Sequence, residues 1–391
     1  MKVAVLGSGT AGCIFSMLAC KNLPADWTVE CIYDPSIPTI QVGETASPGI
    51  LEALQDCLNF EVAEDLNSLD GTLRTGVKHF WANANKDFFV GYNRNFGIHV
   101  NSTKFSSFVL LRLTQLYKNK FIETHATILE VDEIAGTVKT TIKEETYDLI
   151  VDARGFANSK LFETNTIVSP KFSAVNSVII WPEKKHYVEY YTTAQIHNNG
   201  WMFGVPLTTR KAWGYLYNNK ITSLEEAKED FKRIKNLDNE TLNQCRTFSW
   251  DQYYRPVALF KKVLYLGNNL YFFEPAGAIP LHYYLVLSRI ITEDLGRLPF
   301  DQKYHNTINT YHQFMMDQLQ DLNALNYAGK NKIKSKFWDI SKPLAEETLK
   351  KSVTWNDWAT SRKVPGAFFF THPSELMDAY INGFELEMNK K

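Results

Sequence analysis

The order of apolar and polar positions predicts alternating strands and helices at the start of the chain. Residues 2–6 (K-V-A-V-L) form a short apolar run that is typical of a buried strand, and residues 13–20 form an apolar stretch that is typical of a helix. A glycine-rich segment, residues 7–12, lies between them. A second strand is predicted over residues 27–33, and it ends at Asp34.

Further along, residues 105–117 carry apolar residues at helical spacing, and residues 148–156 form a buried strand that runs into a turn. Beyond residue 280 the pattern is mostly helical. We therefore expect an α/β fold with two parts. Residues 1–290 would form a Rossmann-like module with an interleaved antiparallel sheet, and residues 291–391 a mainly helical region.

The glycine segment G-S-G-T-A-G has the spacing that a dinucleotide requires. Gly7 allows a tight turn, Gly9 lets a phosphate approach the backbone, and Gly12 lets the helix pack against the strand. The helix N-terminus offers free N–H groups to a pyrophosphate, and Asp34 is placed to accept a hydrogen bond from a ribose hydroxyl. The alternative is a tight turn that binds no ligand.

Composition and charge exclude several classes of partner and site. The chain has 391 residues, 45% of them hydrophobic, and a formal net charge of −1, so nucleic acid and an anionic membrane are not expected as main partners. No apolar run reaches the length of a membrane span, and the glycine turn interrupts the segment that could resemble a signal peptide. The five cysteines show no metal-ligand spacing, which favours a reducing, cytoplasmic location without a bound metal. They are Cys13, Cys20, Cys31, Cys57 and Cys245.

Several further motifs follow in a fixed order. Residues 42–45 (V-G-E-T) with Pro48 form a proline-bounded strap, expected to be an ordered loop. Residues 148–156 read D-L-I-V-D-A-R-G-F, residues 201–206 read W-M-F-G-V-P, and residues 265–275 read Y-L-G-N-N-L-Y-F-F-E-P. Together with the glycine segment, this series resembles the flavin-dependent halogenases of the tryptophan-halogenase type.

The resemblance implies an FAD site and a wall between flavin and substrate. The implied FAD contacts are Gly7, Gly9, Thr10, Ala11, Gly12, Asp34, Val42, Gly43, Glu44, Thr45, Gly267 and Pro275. The implied wall consists of Trp201, Phe203 and Pro206. Glu44 is expected to shape the strap.

One departure from the family lies in residues 71–81, which we predict to be a single strand. The family's catalytic lysine falls on Arg74, and its second lysine on Lys78. Arginine donates hydrogen bonds but does not readily lose its proton, so it supplies no neutral nucleophile. Lys78 is expected on the same side of the strand, about 13 Å from Arg74. The alternative for both is a solvated strand face.

A second departure lies in the implied halide site. The family's catalytic glutamate falls on Gly277, its Ser-Thr pair on Ala278 and Ile279, and a glycine on Pro280, which has no N–H to donate. His282 is a polar candidate that could face the cavity, as is His99. Our candidate catalytic residues are therefore Arg74, Lys78 and His282.

Three functions remain open. The first is halogenation of an electron-rich aromatic small molecule, with reduced FAD from a separate flavin reductase, oxygen and a halide, as the resemblance implies. The second is a monooxygenase on the same scaffold, which would transfer oxygen without a halide. The third is a flavin-binding protein without turnover. The altered Arg74 and Gly277 positions favour the second, and the segment at residues 201–206 favours the first.

Overall fold

The computed structural model describes residues 1–37, 43–83, 86–92, 95–155, 167–184, 189–276, 279–356 and 373–386. The strands, in chain order, are β1 Lys2–Leu6, β2 Thr28–Tyr33, β3 Gly43–Ala46, β4 Thr72–Arg74, β5 Gly76–Asn83, β6 Lys86–Gly91, β7 Gly97–Asn101, β8 Phe121–His125, β9 Ile128–Asp132, β10 Thr137–Thr140, β11 Glu144–Thr146, β12 Leu149–Asp152, β13 Ser177–Glu183, β14 Thr192–His197, β15 Gly200–Pro206, β16 Lys211–Tyr217, β17 Arg246–Ser249, β18 Tyr253–Tyr254, β19 Leu259–Phe260, β20 Val263–Tyr265 and β21 Tyr271–Phe272. The helices are α1 Thr10–Asn22, α2 Pro48–Leu58, α3 Val62–Asp65, α4 Ser102–Leu116, α5 Leu224–Lys235, α6 Asn239–Gln244, α7 Pro280–Asp294, α8 Gln302–Ala328, α9 Lys336–Lys351 and α10 Pro373–Phe384.

A six-stranded sheet in the order β19-β20-β12-β1-β2-β8 forms the dinucleotide-binding module. All neighbours in it are parallel except β19 and β20. β1 lies between β12 and β2, and its residues from Val3 to Leu6 are fully buried, as a central parallel strand requires. Helix α1 packs on this sheet and against α7. The predicted α/β class and the strand–glycine turn–helix start are confirmed.

A seven-stranded sheet, in the order β17-β13-β16-β15-β14-β5-β6, forms the second layer. It is antiparallel except where β14 runs parallel to β5. Side chains alternate between its two faces. Along β15, Trp201, Phe203 and Val205 face a cavity, whereas Met202 packs on the other side with Tyr215. This is the predicted interleaved antiparallel sheet.

A three-stranded sheet, β3-β7-β4, joins the two layers and corrects two predictions. The strap is not a loop along its whole length, because Gly43–Ala46 pairs with β7 as a strand. Residues 71–81 are not one strand, because the chain leaves this sheet after Arg74 and enters the seven-stranded sheet at Gly76. A Cβ on Gly76 would lie 2.2 Å from the Val90 carbonyl oxygen, so the crossing needs glycine.

The C-terminal helices pack on the same core as the two sheets. Helices α8 and α9 contact each other along their length, and α10 lies against β6. One buried hydrophobic cluster runs from Val3 through Met316 and Trp338 to Phe384. The division expected at residue 290 falls inside α7, and it stays a prediction.

No helix in the described part of the chain is both long and apolar enough to cross a lipid bilayer. The described residues likewise contain no cluster of three or more histidine, cysteine, aspartate or glutamate side chains arranged to hold a metal ion. All five cysteines are free thiols, and four of them are buried.

Candidate active site

One cavity of about 1230 Å³ lies at the carboxyl ends of β1, β2 and β12, against the inner face of the seven-stranded sheet. Ligands of open α/β sheets bind at this edge. The cavity has two ends. The sequence-predicted residues that line the end at the six-stranded sheet are Gly7, Gly9, Thr10, Ala11, Asp34, Glu44, Thr45, Gly267 and Pro275. Those that line the end at the seven-stranded sheet are Arg74, Trp201 and Phe203. We call these the glycine end and the aromatic end.

The glycine end is shaped by backbone. Gly7 has φ +103, and a Cβ there would lie 2.8 Å from the Ala153 carbonyl oxygen. Gly9 is the N-cap of α1, and as a glycine it has no side chain to accept a hydrogen bond from the first-turn N–H groups. A Cβ on Gly9 would meet nothing within 4 Å, so the space in front of the helix N-terminus is open. This arrangement is suited to an anionic phosphate.

Gly12 does not line this cavity. A Cβ on Gly12 would lie 2.0 Å from the Gly7 carbonyl oxygen, so Gly12 serves the close packing of helix and turn. Gly43 begins β3, opposite Asn101 of β7. Val42 lies outside the described residues.

Asp34 borders the glycine end and already has partners. Its Oδ1 accepts hydrogen bonds from the N–H and hydroxyl of Ser36, and its Oδ2 accepts one from the Thr127 hydroxyl at 2.6 Å. These hydrogen bonds lower the pKa of Asp34, so it is a carboxylate at neutral pH. Oδ2, which accepts only from Thr127, keeps a lone pair that could accept from a ribose hydroxyl.

Arg154 also lines the glycine end, and the sequence reading did not single it out. Its guanidinium donates to both carboxylate oxygens of Asp152, at 2.9 and 2.7 Å. Asp152 also accepts from the backbone N–H of Arg154 at 3.3 Å, so it stabilises the turn after β12. This buried ion pair leaves Arg154 neutralised by its own neighbour.

Glu44 of the strap faces the cavity and forms a hydrogen bond with Thr10 at the start of α1. Burial raises the pKa of Glu44 to about 7, and the bond to Thr10 lowers it in part. The strap and the glycine turn are thus tied together by a carboxyl group whose charge changes near neutral pH.

The glycine end fits an FAD. A pyrophosphate requires an open helix N-terminus with a glycine beside it, and the N-terminus of α1 at Gly9 provides both. A ribose requires a hydrogen-bond acceptor, and the ionised Asp34 carboxylate at the end of β2 provides it. The cavity continues from there to the aromatic end. The roles of the individual residues toward FAD stay predictions.

At the aromatic end, Arg74 is 1% exposed and lies in the cavity wall. Its Nε donates to the Thr192 hydroxyl at 2.9 Å, and its guanidinium carbon lies 5.0 Å from the centre of the Tyr92 ring. Neither terminal nitrogen has a hydrogen-bond partner among the described residues. Burial lowers the pKa of Arg74 to about 10, which still leaves it a cation at neutral pH.

A chain of hydrogen bonds fixes the position of Arg74. The Thr72 hydroxyl donates to the Pro206 carbonyl at 2.8 Å, and His99 Nδ1 lies 2.9 Å from the same hydroxyl oxygen. Thr72 has only one hydroxyl proton, so Nδ1 must be the donor.

The other ring nitrogen completes the chain. Burial, and then the charge of Arg74, hold the pKa of His99 well below its usual range, so the ring is neutral. Its Nε2 therefore accepts from the Thr192 hydroxyl at 3.0 Å, and Thr192 in turn accepts from Arg74. His99 does not line the cavity and acts as a support for Arg74.

Lys78 does not share a side with Arg74, and that prediction is wrong. Because the strand breaks at Gly76, Val77, His79 and Trp81 face the cavity, while Lys78 points to the opposite face. There it is 32% exposed and forms an ion pair with Asp87.

The halide-site residues are only partly described. Gly277 and Ala278 lie outside the described residues. Pro280 lines the cavity and begins α7, where its missing N–H is tolerated. His282 does not line the cavity, because its ring turns toward α2, where Nδ1 lies 3.0 Å from the Ser47 hydroxyl oxygen. Burial lowers the pKa of His282 to about 4, so it is a neutral residue between two helices.

Of the predicted wall, Trp201 and Phe203 line the cavity, with Val205 beside them, and their role as a wall stays a prediction. The Phe203 ring lies over Gly214 of β16, where a Cβ would come within 2.2 Å of a ring carbon. Pro206 does not line the cavity, and its contribution is the carbonyl that accepts from Thr72.

Two buried side chains near this end were missed in the sequence. His79 lines the cavity, stacks on Phe88 at 4.6 Å, and neither ring nitrogen has a partner among the described residues. Glu274 lies behind Pro275, where its Oε2 accepts from the Tyr327 hydroxyl at 3.1 Å. Burial raises the pKa of Glu274 to about 8. The alternation of side chains along β5 predicts that His79 faces the cavity, but only if a new strand is known to begin at Gly76.

Comparison with known proteins agrees with this architecture. The tryptophan halogenase family model matches residues 2–133 and 92–374. The tryptophan 6-halogenase ThaL of Streptomyces albogriseolus is 21% identical, over 97% of this chain and 87% of ThaL. The tryptophan 7-halogenase RebH of Lentzea aerocolonigenes is 20% identical, over 88% of this chain and 79% of RebH.

Solved structures share the fold. A tryptophan halogenase from Shewanella frigidimarina superposes with a TM-score of 0.84 at 16% identity, covering 100% of this chain and 89% of that one. BrvH, a flavin-dependent halogenase from a Brevundimonas species, gives a TM-score of 0.83 at 15% identity, covering 100% and 91%. At these identities the likeness shows the fold.

Proposed function

Because the chain belongs to the tryptophan halogenase family, we propose that it is an FAD-dependent enzyme that halogenates an electron-rich aromatic small molecule. The family match supports the flavin-dependent oxidoreductase chemistry. The observation that carries the proposal for this chain is a continuous cavity, which joins a glycine end suited to a phosphate to an aromatic end.

FAD would be held at the glycine end. The N-terminus of α1 at Gly9 would face the pyrophosphate, Asp34 would accept from the ribose, and Glu44, Gly267 and Pro275 would border the rest of the cofactor. When bound, reduced FAD would supply two of the four electrons that reduce oxygen, and the halide, which is thereby oxidised to an electrophilic halogen, would supply the other two. A separate flavin reductase would provide that reduced FAD, and a halide would be the second partner.

The substrate would lie at the aromatic end. Trp201 and Phe203 line that end with aromatic side chains, which suit a flat, apolar molecule. As the resemblance implies, they would separate the substrate from the flavin. Arg74 would take the role of the site's fixed hydrogen-bond donor. Lys78 and His282 have no place in this proposal, since neither reaches the cavity.

The test is a mass-spectrometric product screen. The protein would be incubated with FAD, a flavin reductase and NADH, and with indoles and phenols in chloride, bromide, iodide or halide-free buffer. We expect a product mass that depends on which halide is present. A shift of one oxygen in every buffer would overturn halogenation and make the protein a monooxygenase.

The matched control is Gly9→Val, which alters only the glycine end. Its products should disappear together with FAD binding. Products that persist in this variant would show that the glycine end is not the flavin site.

A further inference from the structure

Arg74 is a buried cation without a counter-charge among the residues that the structure describes. No described ion pair includes it, and its two terminal nitrogens, buried in the cavity wall, have no acceptor among the described residues. A buried charge is normally paired, because removing it from water is strongly unfavourable. Arg154, at the other end of the same cavity, shows the usual solution with its bidentate pair to Asp152.

Two contacts fix the orientation of Arg74. Thr192 holds Nε, and Tyr92 covers a face of the guanidinium. The remaining donors are the two terminal NH₂ groups, which form the planar fork that matches a carboxylate in two parallel hydrogen bonds.

In the described part of the chain, aromatic and uncharged side chains surround the fork, and no carboxylate pairs with it. His79 is neutral, since burial and the charge of Arg74 lower its pKa to about 3, and its unpartnered nitrogens leave one further donor. Trp81, Trp201 and Phe203 line the same end. An anionic head beside a flat apolar body would match this arrangement of one cation and several ring faces.

We propose that Arg74 is the receptor for the carboxylate of an aromatic acid, which the aromatic end accommodates as substrate. The proposal rests on the proposed function for the aromatic end as the substrate end, but not on halogenation itself. A single carboxylate balances the single charge of Arg74, whereas a phosphate dianion would bring an excess negative charge into an apolar site. A halide ion would satisfy the fork but leave the ring faces without a ligand.

The experiment is isothermal titration calorimetry with indole-3-acetate and its neutral amide, indole-3-acetamide. The titrations use the whole chain with and without oxidised FAD, and without a reductase, so that no turnover occurs. We expect the acid to bind about 10- to 100-fold more tightly than the amide, the range for hydrogen bonds to a charged group. Equal affinities, or no binding of the acid, would overturn the proposal.

Variants assign the preference to Arg74. Arg74→Gln should abolish the preference for the acid, and Arg74→Lys should keep part of it, because the charge remains but the fork is lost. Lys78→Gln removes the same charge four residues away, outside the cavity, and should leave the preference intact. A preference that survives in Arg74→Gln would overturn the assignment.

A competition experiment with small free anions completes the test. Acetate and bromide, added as competitors, should displace indole-3-acetate only weakly, since neither fills the aromatic wall. If acetate binds as tightly as indole-3-acetate, the site is one for small free anions and the proposal of an aromatic acid is wrong. Because these are binding measurements, a protein that fails to halogenate would still give a result on Arg74.

Discussion

The two ends of the cavity are built in different ways. At the glycine end the polar side chains have internal partners: Asp34 accepts from Ser36 and Thr127, and Arg154 is paired with Asp152. At the aromatic end, Arg74 and His79 are buried with polar atoms that have no partner among the described residues.

Because of this difference, we expect the two ends to recognise their ligands with different specificity. The glycine end presents backbone N–H groups at a helix N-terminus, which serve any ligand with a phosphate in that position. The aromatic end presents a fixed charge whose partner must come with the ligand. We therefore expect the glycine end to set cofactor affinity and the aromatic end to set the choice of substrate.

The largest expected effect is at the glycine end. Gly9→Val should reduce FAD affinity by more than about 100-fold, because the side chain would enter the open space in front of the α1 N-terminus. Fold stability should change little, since a Cβ there meets nothing within 4 Å. Flavin titration followed by fluorescence, with circular dichroism as the folding check, measures both. Normal FAD titration would refute the placement of the cofactor.

The next effect concerns the buried acid behind the aromatic end. Glu274 keeps its proton in the folded protein up to a pKa of about 8, whereas in the unfolded chain it titrates near 4.5. Between these values the unfolded state binds fewer protons, so stability falls as pH rises. Glu274→Gln should remove this loss and stabilise the protein above pH 8 by roughly 4 kcal/mol.

Urea denaturation at several pH values tests this expectation. The difference between Glu274→Gln and the wild type should be small near pH 4.5 and largest above pH 8. Glu44, with its pKa near 7, lowers stability with pH in both proteins, so the difference isolates Glu274. A difference that does not change with pH would contradict the protonated state of Glu274.

A smaller effect is expected where the support of Arg74 is removed. Thr192→Val takes away the hydroxyl between Arg74 Nε and His99 Nε2, and leaves both without that partner. The loss should be about 1–3 kcal/mol of stability, the usual range for a buried unsatisfied group.

The same variant should also weaken the preference for indole-3-acetate over its amide. A purely structural role would not change this preference. Thr192→Ser, which keeps the hydroxyl, should restore it. If Thr192→Val lowers stability but leaves the preference unchanged, then the hydrogen-bond chain does not position Arg74.

The smallest effect is expected outside the cavity. Lys78→Gln breaks an ion pair with Asp87 in which both side chains are partly exposed, and such pairs contribute about 0–1 kcal/mol. Product formation and FAD affinity should remain within about twofold of the wild type. A large loss of activity would show that Lys78 reaches the substrate after all.

The glycine end could be read almost entirely from the sequence. Gly7, Gly9 and Gly12 act through neighbours within a few positions, and Asp34 follows directly from the end of β2. Local sequence patterns fix such features, because a strand, a glycine turn and a helix need few distant contacts to form.

The aromatic end could not be read in the same way. The expected side for Lys78 was wrong because residues 71–81 cross between two sheets, and the crossing depends on contacts of Thr75 with the distant Tyr190 and Tyr92. His282 looked like a cavity residue in sequence, yet the packing of α7 against α2 turns its ring away.

By itself, then, the sequence determined the fold class, the family and the glycine end, because these depend on periodicity and on short motifs. Only the tertiary structure decided which polar residues lack a partner. Arg74 is unpaired because the surrounding strands β5, β14 and β15 bring Thr192, His79 and aromatic rings to it, and no carboxylate among the described residues. Whether a buried charge has a partner depends on residues that are distant in the sequence, so a local sequence pattern cannot predict it.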